Sequence, residues 1–310
     1  MTLEQTLSHA REILNSSNIE EAALESELLL RHTLKIGRVQ LYLNLDYELG
    51  SKEEEAFWHL LERRLSGEPT AYITGHREFY GLDFYVDRSV LIPRPESELL
   101  VEKALKLAQN RTMPAIAEVG TGCGAIAISL ALNLPQTKIY ATDISASALK
   151  VALFNCRKHR VADRICLLQG DMLDPLPEPT GLIIANLPYV RESELSQVNT
   201  RNFEPPLALN GGSDGLEKIR RLCHQADNKL CPDGCLLLEI GQGQKSAVTT
   251  LLHSLFPSAK IEVTPDLSGI DRMVSLTHRT HPTKRDENTQ HNLIQNYPNA
   301  RLSDWVLLQG

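Results

Sequence analysis

The sequence has no stretch able to span a bilayer. Its longest apolar run, Ala125 to Leu132 with Ser129 inside it, falls far short of the roughly 20 residues a membrane helix needs. The amino terminus, Met1-Thr2-Leu3-Glu4-Gln5, shows neither the basic start nor the apolar block that precedes a cleavage site, so the reading is a cytoplasmic protein that meets no membrane. Cysteine is sparse and scattered, at 123, 156, 166, 223, 231 and 235. That distribution is no disulfide framework, and no pair has the C-x2-C spacing of a zinc site, so no metal is expected. Positive charge is also short. The net charge is -7, and the imbalance lies in the first 90 residues, which hold 9 Lys+Arg against 16 Asp+Glu, while the remainder balances at 23 against 23. Binding to nucleic acid draws on Lys and Arg that displace counterions from phosphates. An acidic front, with no basic stretch interleaved with aromatics, favours a protein or small-molecule substrate and no direct nucleic-acid partner.

What is present is ordinary globular material: 310 residues, 42% hydrophobic and 23% charged, enough for two domains with sizeable cores. The first 75 residues read as a small helical bundle. Leu3, Leu7, Ala10, Ile13 and Leu14 form one stripe, and Leu24, Leu28 and Leu34 continue it in a second segment. Ser51-Lys52-Glu53-Glu54 has the form of a capping box opening a third helix with Phe57, Leu60, Leu61 and Leu65 on its apolar face, ended by Gly67-Glu68-Pro69. Alternation of Phe79, Leu82, Phe84 and Val86 about Gly81-Leu82-Asp83 predicts a hairpin, making residues 76–95 a linker.

Over residues 96–279 the pattern becomes α/β. A helix over Glu98 to Ala108 precedes strands at Ala115 to Val119, Lys138 to Thr142, Ile165 to Gln169, Leu182 to Ala185 and Cys235 to Glu239, with an antiparallel pair at Ile261 to Val263 and Met273 to Leu276. Cys231-Pro232-Asp233-Gly234 reads as a turn entering its strand. This is a doubly wound, mostly parallel seven-stranded sheet, which gathers a ligand at the carboxyl ends of its strands. Residues 280–310, a polar tail ending in Trp305-Val306-Leu307-Leu308, have no assignable structure.

Two motifs carry chemistry. Gly120-Thr121-Gly122-Cys123-Gly124 leaves the first sheet strand and opens a helix, and Asp143 follows Gly120 by 23 residues, just past the second strand. Glycines allow close approach of a ligand to the main chain, and a carboxylate there accepts the hydroxyl hydrogens of a ribose. An adenosine-type ligand is expected; the loop alone leaves a dinucleotide and a methyl donor both open. The second motif is Asn186-Leu187-Pro188-Tyr189, directly after the buried strand Leu182-Ile183-Ile184-Ala185. Asn186 offers a side-chain carbonyl, and Pro188 holds Leu187 extended so that its backbone carbonyl can turn outward. Two acceptors side by side suit a planar NH2 whose nitrogen is a weak nucleophile and needs alignment more than a base. The ring of Tyr189 is expected against the flat substrate group, with its hydroxyl in water.

With these motifs the chain resembles the peptide chain release factor N5-glutamine methyltransferases. The resemblance runs through Gly67-Glu68-Pro69-Thr70-Ala71-Tyr72-Ile73-Thr74-Gly75, Leu91-Ile92-Pro93-Arg94-Pro95-Glu96-Ser97-Glu98, Glu118 to Ala125, Ala141-Thr142-Asp143, Asn186 to Tyr189, Glu204-Pro205, Gly211 to Leu216, Glu239-Ile240-Gly241 and Gly269-Ile270-Asp271-Arg272. It implies a Rossmann-like methyltransferase domain behind a helical domain that docks a protein substrate. It also implies S-adenosylmethionine as the methyl donor, consumed in the reaction, and release factors as substrate. By position, residues 120–124, Asp143 and Asn186 hold the donor, Asp171 and Met172 line its adenine, Asn186 with Leu187 and Pro188 also holds the substrate amide, and Tyr189 lies against it. Arg94 and Glu96 organise the cleft or form a structural ion pair. The chain departs from the family in having Leu187 where a second Pro is usual and Met172 where an aromatic is frequent. Asn-Leu-Pro-Tyr is also the wording of adenine-N6 methyltransferases of ribosomal RNA. That reading stays open, as do a glutamine methyltransferase of a large-subunit ribosomal protein, a dinucleotide-dependent oxidoreductase and a noncatalytic scaffold.

Overall fold

The computed structural model describes residues 1–110, 113–198 and 202–278. The expected tail segment, with Trp305 to Leu308, lies outside them. Five helices open the chain: α1 (Leu3–Ser16), α2 (Ala22–Leu34), α3 (Arg38–Leu43), α4 (Ser51–Leu65) and α5 (Thr70–Thr74). Thr2 caps α1 reciprocally with Gln5, each side chain accepting the other's backbone N–H. The stripe Leu3, Leu7, Ala10 and Leu14 is buried, with Ile13 at its margin.

Two details of the bundle correct the sequence reading. The buried face of α2 is Ala22, Ser26, Leu29 and Leu30, while Leu24 is exposed. Leucine at 28, 29 and 30 fits more than one helical phase, and packing against α1 and α4 decides between them. At α4 the cap is Gly50 rather than Ser51: Glu53 accepts the Gly50 N–H at 2.9 Å, and Ser51 is already helical. A glycine cap keeps only the carboxylate half of the box. Phe57 and Leu61 are buried as expected, whereas Leu65 is exposed. The helix stops there, and Pro69 caps α5. Glu68, buried between them, accepts from Arg63 and from Arg88 at 2.8 Å each, joining the end of the bundle to the segment beyond the hairpin.

The hairpin is β1 (His76–Phe79) and β2 (Leu82–Tyr85). Its two-residue turn, Tyr80-Gly81, has positive φ at both positions, 53° and 70°, the geometry whose twist matches the flanking strands. Phe79, Phe84 and Val86 enter the main core.

Helix α6 (Glu98–Asn110) leads to strands β3 (Ala115–Val119), β4 (Lys138–Asp143), β5 (Ile165–Gln169), β6 (Thr180–Ala185), β7 (Leu230–Glu239), β8 (Lys260–Pro265) and β9 (Asp271–Thr277). They form one sheet in the order β5-β4-β3-β6-β7-β9-β8. The first five are parallel, and β9 runs antiparallel to β7 and β8. This is the expected doubly wound Rossmann-like arrangement. Helices α7 (Ala125–Asn133), α8 (Ala146–Lys158), α9 (Pro206–Leu209), α10 (Glu217–Lys229) and α11 (Lys245–Leu255) complete it. Along the strands, Ile116, Leu182, Ile184 and Leu237 enter the core shared with α6, α7 and α8, while Ala117, Ile183, Ala185 and Leu238 enter the core under α10 and α11. With both faces covered, the strands read as apolar runs rather than alternating ones. The turn expected at 231–234 is a bulge inside β7: Thr180 pairs with Leu230 and the next pair is Leu182 with Cys235, with Asp233 at φ 59°.

Topology fixes where a ligand goes. The chain places β4 and β5 on one side of β3 and then returns to the other side for β6. A crevice opens between the carboxyl ends of β3 and β6.

One buried side chain ties the hairpin to this edge. Asn155 of α8 accepts the Tyr85 N–H and donates to the carbonyls of Tyr85 and Cys123, each at 2.9 Å. Asn155→Ala would leave the buried Cys123 carbonyl and the half-buried Tyr85 N–H and carbonyl without these partners. The substitution should lower the unfolding free energy by about 3 kcal/mol, measured by urea denaturation; a loss under about 0.5 kcal/mol would show the clamp to be ornamental.

Candidate active site

The loop between β3 and α7 is built from left-handed backbone: φ is 73° at Gly120, 55° at Gly122 and 85° at Gly124. The N–H groups of Gly120 and Thr121 both donate to the Thr142 carbonyl, stitching the loop to β4. Gly122 N–H donates to Asp143 Oδ2 and Ser145 N–H to Asp143 Oδ1, each at 2.9 Å. A carboxylate oxygen has room for a second donor, so Asp143 keeps acceptor capacity toward the cleft that a ribose diol would use. Burial raises the Asp143 carboxyl above its ordinary range, against the opposing backbone N–H groups of Ser145, Gly122 and Ile144.

Of the residues expected to hold a donor, Gly120, Thr121, Gly122, Cys123, Asp143, Asp171, Met172 and Asn186 line one cleft. Gly124 is not among them. A Cβ there would lie 3.1 Å from Ile128 Cδ1 and 3.4 Å from Ala152 Cβ, so this glycine lets α7 start against α8. Around Gly122, by contrast, a Cβ would meet no atom within 4 Å; this backbone borders open space. Met172 lines the cleft at φ 51°, a conformation uncommon for a long side chain, and Asp171 pairs with Arg221 of α10. The fit to an adenosine-type ligand therefore rests on the bare glycine backbone and the carboxylate beside it.

Two side chains under the loop are buried and chemically constrained. Glu118 accepts from Thr121 Oγ1 at 2.6 Å and from the Ala127 N–H at 3.0 Å, and desolvation pushes it up to about 8 despite those bonds. Burial pushes the Cys123 thiol up to about 12, so it stays protonated and is no nucleophile.

On the opposite wall stand Asn186, Leu187 and Pro188. Asn186 Nδ2 donates to Ser97 Oγ at 2.9 Å, and Ser97 Oγ donates to Glu239 Oε2 at 2.5 Å. Leu187, in the place of a family proline, is buried in the core beneath the sheet's carboxyl edge, its Cδ2 3.4 Å from where a Gly120 Cβ would be. Tyr189 departs from the expectation. It is not among the residues lining the cleft, and its hydroxyl, on a half-buried side chain, faces Glu239 Oε1 at 3.5 Å. Burial, then the nearby Glu239 charge, pushes that hydroxyl up to about 12. The ring turns inward because Gly241 leaves space for it: a Cβ at 241 would be 3.0 Å from Tyr189 Cδ2.

The backbone after Pro188 is clamped from behind. Val190 N–H donates to Leu209 O and Gly211 N–H to Val190 O, while Gln244 Nε2 donates to the carbonyls of Tyr189 and Gly215. A Cβ on Gly211 would come within 2.8 Å of Pro188 O and Tyr189 Cα, so only glycine allows this approach. Arg94 reaches the cleft and pairs with the buried Glu204 at 2.6 Å, and Glu204 also accepts the Ile92 N–H at 3.1 Å. Glu96 is neither at the cleft wall nor the partner of Arg94.

Sequence reasoning did not assign Ser97, Glu118, Glu204, Glu239 or Gln244 to the site. Glu118 and Glu239 carry a local signal, an acidic residue at or next to the end of an otherwise apolar strand, in Ala115-Ile116-Ala117-Glu118-Val119 and Leu236-Leu237-Leu238-Glu239.

Residues 5–75 match the PrmC N-terminal domain and residues 95–204 the methyltransferase small domain. The chain is 43% identical over 277 residues to a release factor glutamine methyltransferase of Moorella thermoacetica, covering 88% of this chain and 97% of that protein. It is 41% identical over 281 residues to the protein of the same description in Thermodesulfovibrio yellowstonii, covering 88% and 98%. A solved methyltransferase from Pyrococcus furiosus shares the fold at 18% identity and a TM-score of 0.50, over 65% of this chain and 91% of that one.

Burial of Glu118 sets a pH dependence. Its folded pKa, about 8, lies above the ordinary 4.5, so the folded state holds a proton that the unfolded chain releases. That contribution to stability is complete below about pH 4.5 and is lost as pH rises to about 8. Glu118→Gln keeps an acceptor for Thr121 and Ala127 without titrating. Relative to the variant, the wild type should lose up to ~1.4 kcal/mol per pH unit across that window, read from urea unfolding at pH 5, 6.5 and 8. Parallel curves would contradict the buried proton.

Proposed function

The chain belongs to the release factor glutamine methyltransferases, and from that premise we propose that it transfers a methyl group from S-adenosylmethionine to the side-chain amide nitrogen of the glutamine in the Gly-Gly-Gln motif of peptide chain release factors. The observation that carries this reading is the orientation of Asn186. Its NH2 is held by Ser97, which leaves its carbonyl oxygen for the cleft, beside the Leu187-Pro188 backbone and across from the glycine loop. That oxygen and the Leu187 carbonyl form the two acceptors a planar amide NH2 requires.

When bound, the donor supplies an electrophilic methyl group on a sulfonium sulfur. The Gly120 to Gly122 backbone and Asp143 hold it, with Asp171 and Met172 flanking its base. The amide nitrogen is a poor nucleophile because its lone pair is delocalised. Asn186 and the Leu187 carbonyl hold both of its hydrogens, so that the nitrogen takes the methyl group as the bond to sulfur breaks to leave a thioether. The cationic amide, strongly acidic, then gives one hydrogen to water without a strong base. Pro188 keeps the chain extended. Tyr189 supports the loop from behind through Glu239 rather than stacking on the substrate.

The division of labour follows the chain: residues 1–75 dock the protein substrate, 76–95 form a hairpin linker and 96–279 carry out transfer. Docking is supported by α3, where Val39, Tyr42 and Leu43, at i, i+3 and i+4, are exposed at 72%, 49% and 77%, on a front region with excess negative charge. The work is placed in the cytoplasm, where release factors act, and no helix among the described residues is long and apolar enough to cross a membrane. Leu187 in Asn-Leu-Pro-Tyr favours one second reading, methylation of an RNA adenine flipped into the same cleft.

Incubation of the protein with S-adenosylmethionine and, separately, an unmethylated release factor, large-subunit ribosomal proteins and ribosomal RNA should put the methyl group on the Gly-Gly-Gln glutamine, located by mass spectrometry. Methyl only on RNA adenine or only on a ribosomal protein would refute the proposal. Asn186→Ala should cut turnover at least tenfold with donor binding kept, and residual activity above about a tenth would sink the two-acceptor mechanism. Leu43→Asp should raise KM for the intact factor severalfold at unchanged donor affinity; an unchanged KM would remove α3 from docking.

A further inference from the structure

Three elements distant in sequence meet at the substrate wall, where Ser97 and Asn186 line the cleft: the turn Pro95–Ser97 before α6, the carboxyl end of β6 and the carboxyl end of β7. Each contributes one polar side chain, Ser97, Asn186 and Glu239. Ser97 and Glu239 are 4% and 2% exposed, and Glu239 is absent from the cleft wall. We infer that Ser97 and Glu239 are positioning residues, a buried relay that dictates which end of the Asn186 carboxamide faces the cleft.

The argument is a proton count. An ionised carboxylate can only accept, and a serine hydroxyl has a single hydrogen. Ser97 gives that hydrogen to Glu239 at 2.5 Å, so toward Asn186 it can only accept. The only end of a carboxamide that satisfies an acceptor is the NH2, and it stands 2.9 Å from Ser97 Oγ. The carbonyl must then point the other way. With the opposite polarity, Asn186 would present NH2 to an incoming NH2, donor against donor, and the substrate amide would be expelled rather than aligned. An isolated asparagine has little preference between these two states; the relay removes the choice.

Protonation of Glu239 would undo it. As an acid, Glu239 becomes a donor to Ser97, whose hydrogen is then free to turn toward Asn186 and select the flipped amide. The groups facing Glu239 from the packed elements are Ser97 and Glu96 on the turn, the Tyr189 hydroxyl after β6 and Arg272 on β9. Burial outweighs Ser97, Arg272 and Tyr189 and lifts Glu239 to about 7, with Glu96 adding to the rise. Turnover therefore declines as pH falls through that value.

The consequence for turnover rests on the proposed amide methylation, whereas the polarity of Asn186 does not. Full-length wild type, Ser97→Ala and Glu239→Gln are compared for methylation of an unmethylated release factor from pH 6 to 8.5, with donor affinity measured by calorimetry. Ser97→Ala should lower kcat about tenfold or more with donor affinity kept within threefold, and Glu239→Gln should lose the acid limb seen in the wild type. A kcat within twofold for Ser97→Ala, or an acid limb kept in Glu239→Gln, would overturn the inference. The second readout is the side-chain 15N–1H signal of Asn186, identified by its loss in Asn186→Asp. It should titrate with pH in the wild type, cease to do so in Glu239→Gln and shift in Ser97→Ala; indifference to both substitutions would also overturn the relay. If the wild type leaves the glutamine unmodified, the functional reading fails while the amide signal still decides the relay.

Discussion

Parallel pairing is the constraint on which the rest of the molecule depends. Because β3 through β7 run the same way, every strand delivers its next residues to one edge of the sheet. The return from β5 to the far side of β3 then parts that edge into a crevice. Gly120, Asp143, Asp171 and Asn186 each close a different strand or stand within two residues of its end. None is near the others in sequence; all are neighbours because the sheet is wound in two directions from its centre.

The edge is also where an apolar sheet must admit polar groups. A buried acidic group without partners is costly by several kcal/mol when ionised, and each one along this edge is supplied with donors. Glu118 has a hydroxyl and a helix N–H, Asp143 two backbone N–H groups, Glu204 a guanidinium and a backbone N–H, and Glu239 a serine and a tyrosine hydroxyl. The partners come from different elements, so each carboxylate also pins loops whose positions no strand ladder would define. Gly211 and Gly241 act by the same logic without charge, since their missing side chains let backbone and ring approach where a Cβ would collide.

What was legible in the sequence was local. The strand at Ala115 to Val119, the glycine loop after it, the spacing to Asp143 and the turn at Asn186 are properties of short windows, and the sheet follows from their alternation with helices. The illegible parts depend on contacts between distant segments. Ser97 reaches Asn186 across 89 residues and Glu239 across 142, and Ile92 meets Glu204 across 112. No periodicity encodes such pairings. Tyr189 illustrates the same limit: the motif told which residue follows Pro188, but the space its ring occupies is left by a glycine some 50 residues later. In the bundle, three consecutive leucines left the phase of α2 to tertiary packing, and Leu187 could be read as a departure from the family but not as a core residue.

The placement of Glu239 at the end of β7 has a bearing on how the protein comes into being. Chains emerge from the ribosome amino terminus first, at about 5–20 residues per second. The front bundle, with its own core of Leu3, Leu29, Leu41, Phe57 and Leu61, has all its parts early. The glycine loop, Ser97 and Asn186 are also synthesised before β7, yet the relay that orients the carboxamide stays incomplete until Glu239 has been added and β9 has closed over the β7 edge. A nascent chain halted between the two would carry every signature residue of the cleft and still have no fixed polarity at the acceptor, so competence arrives late and all at once.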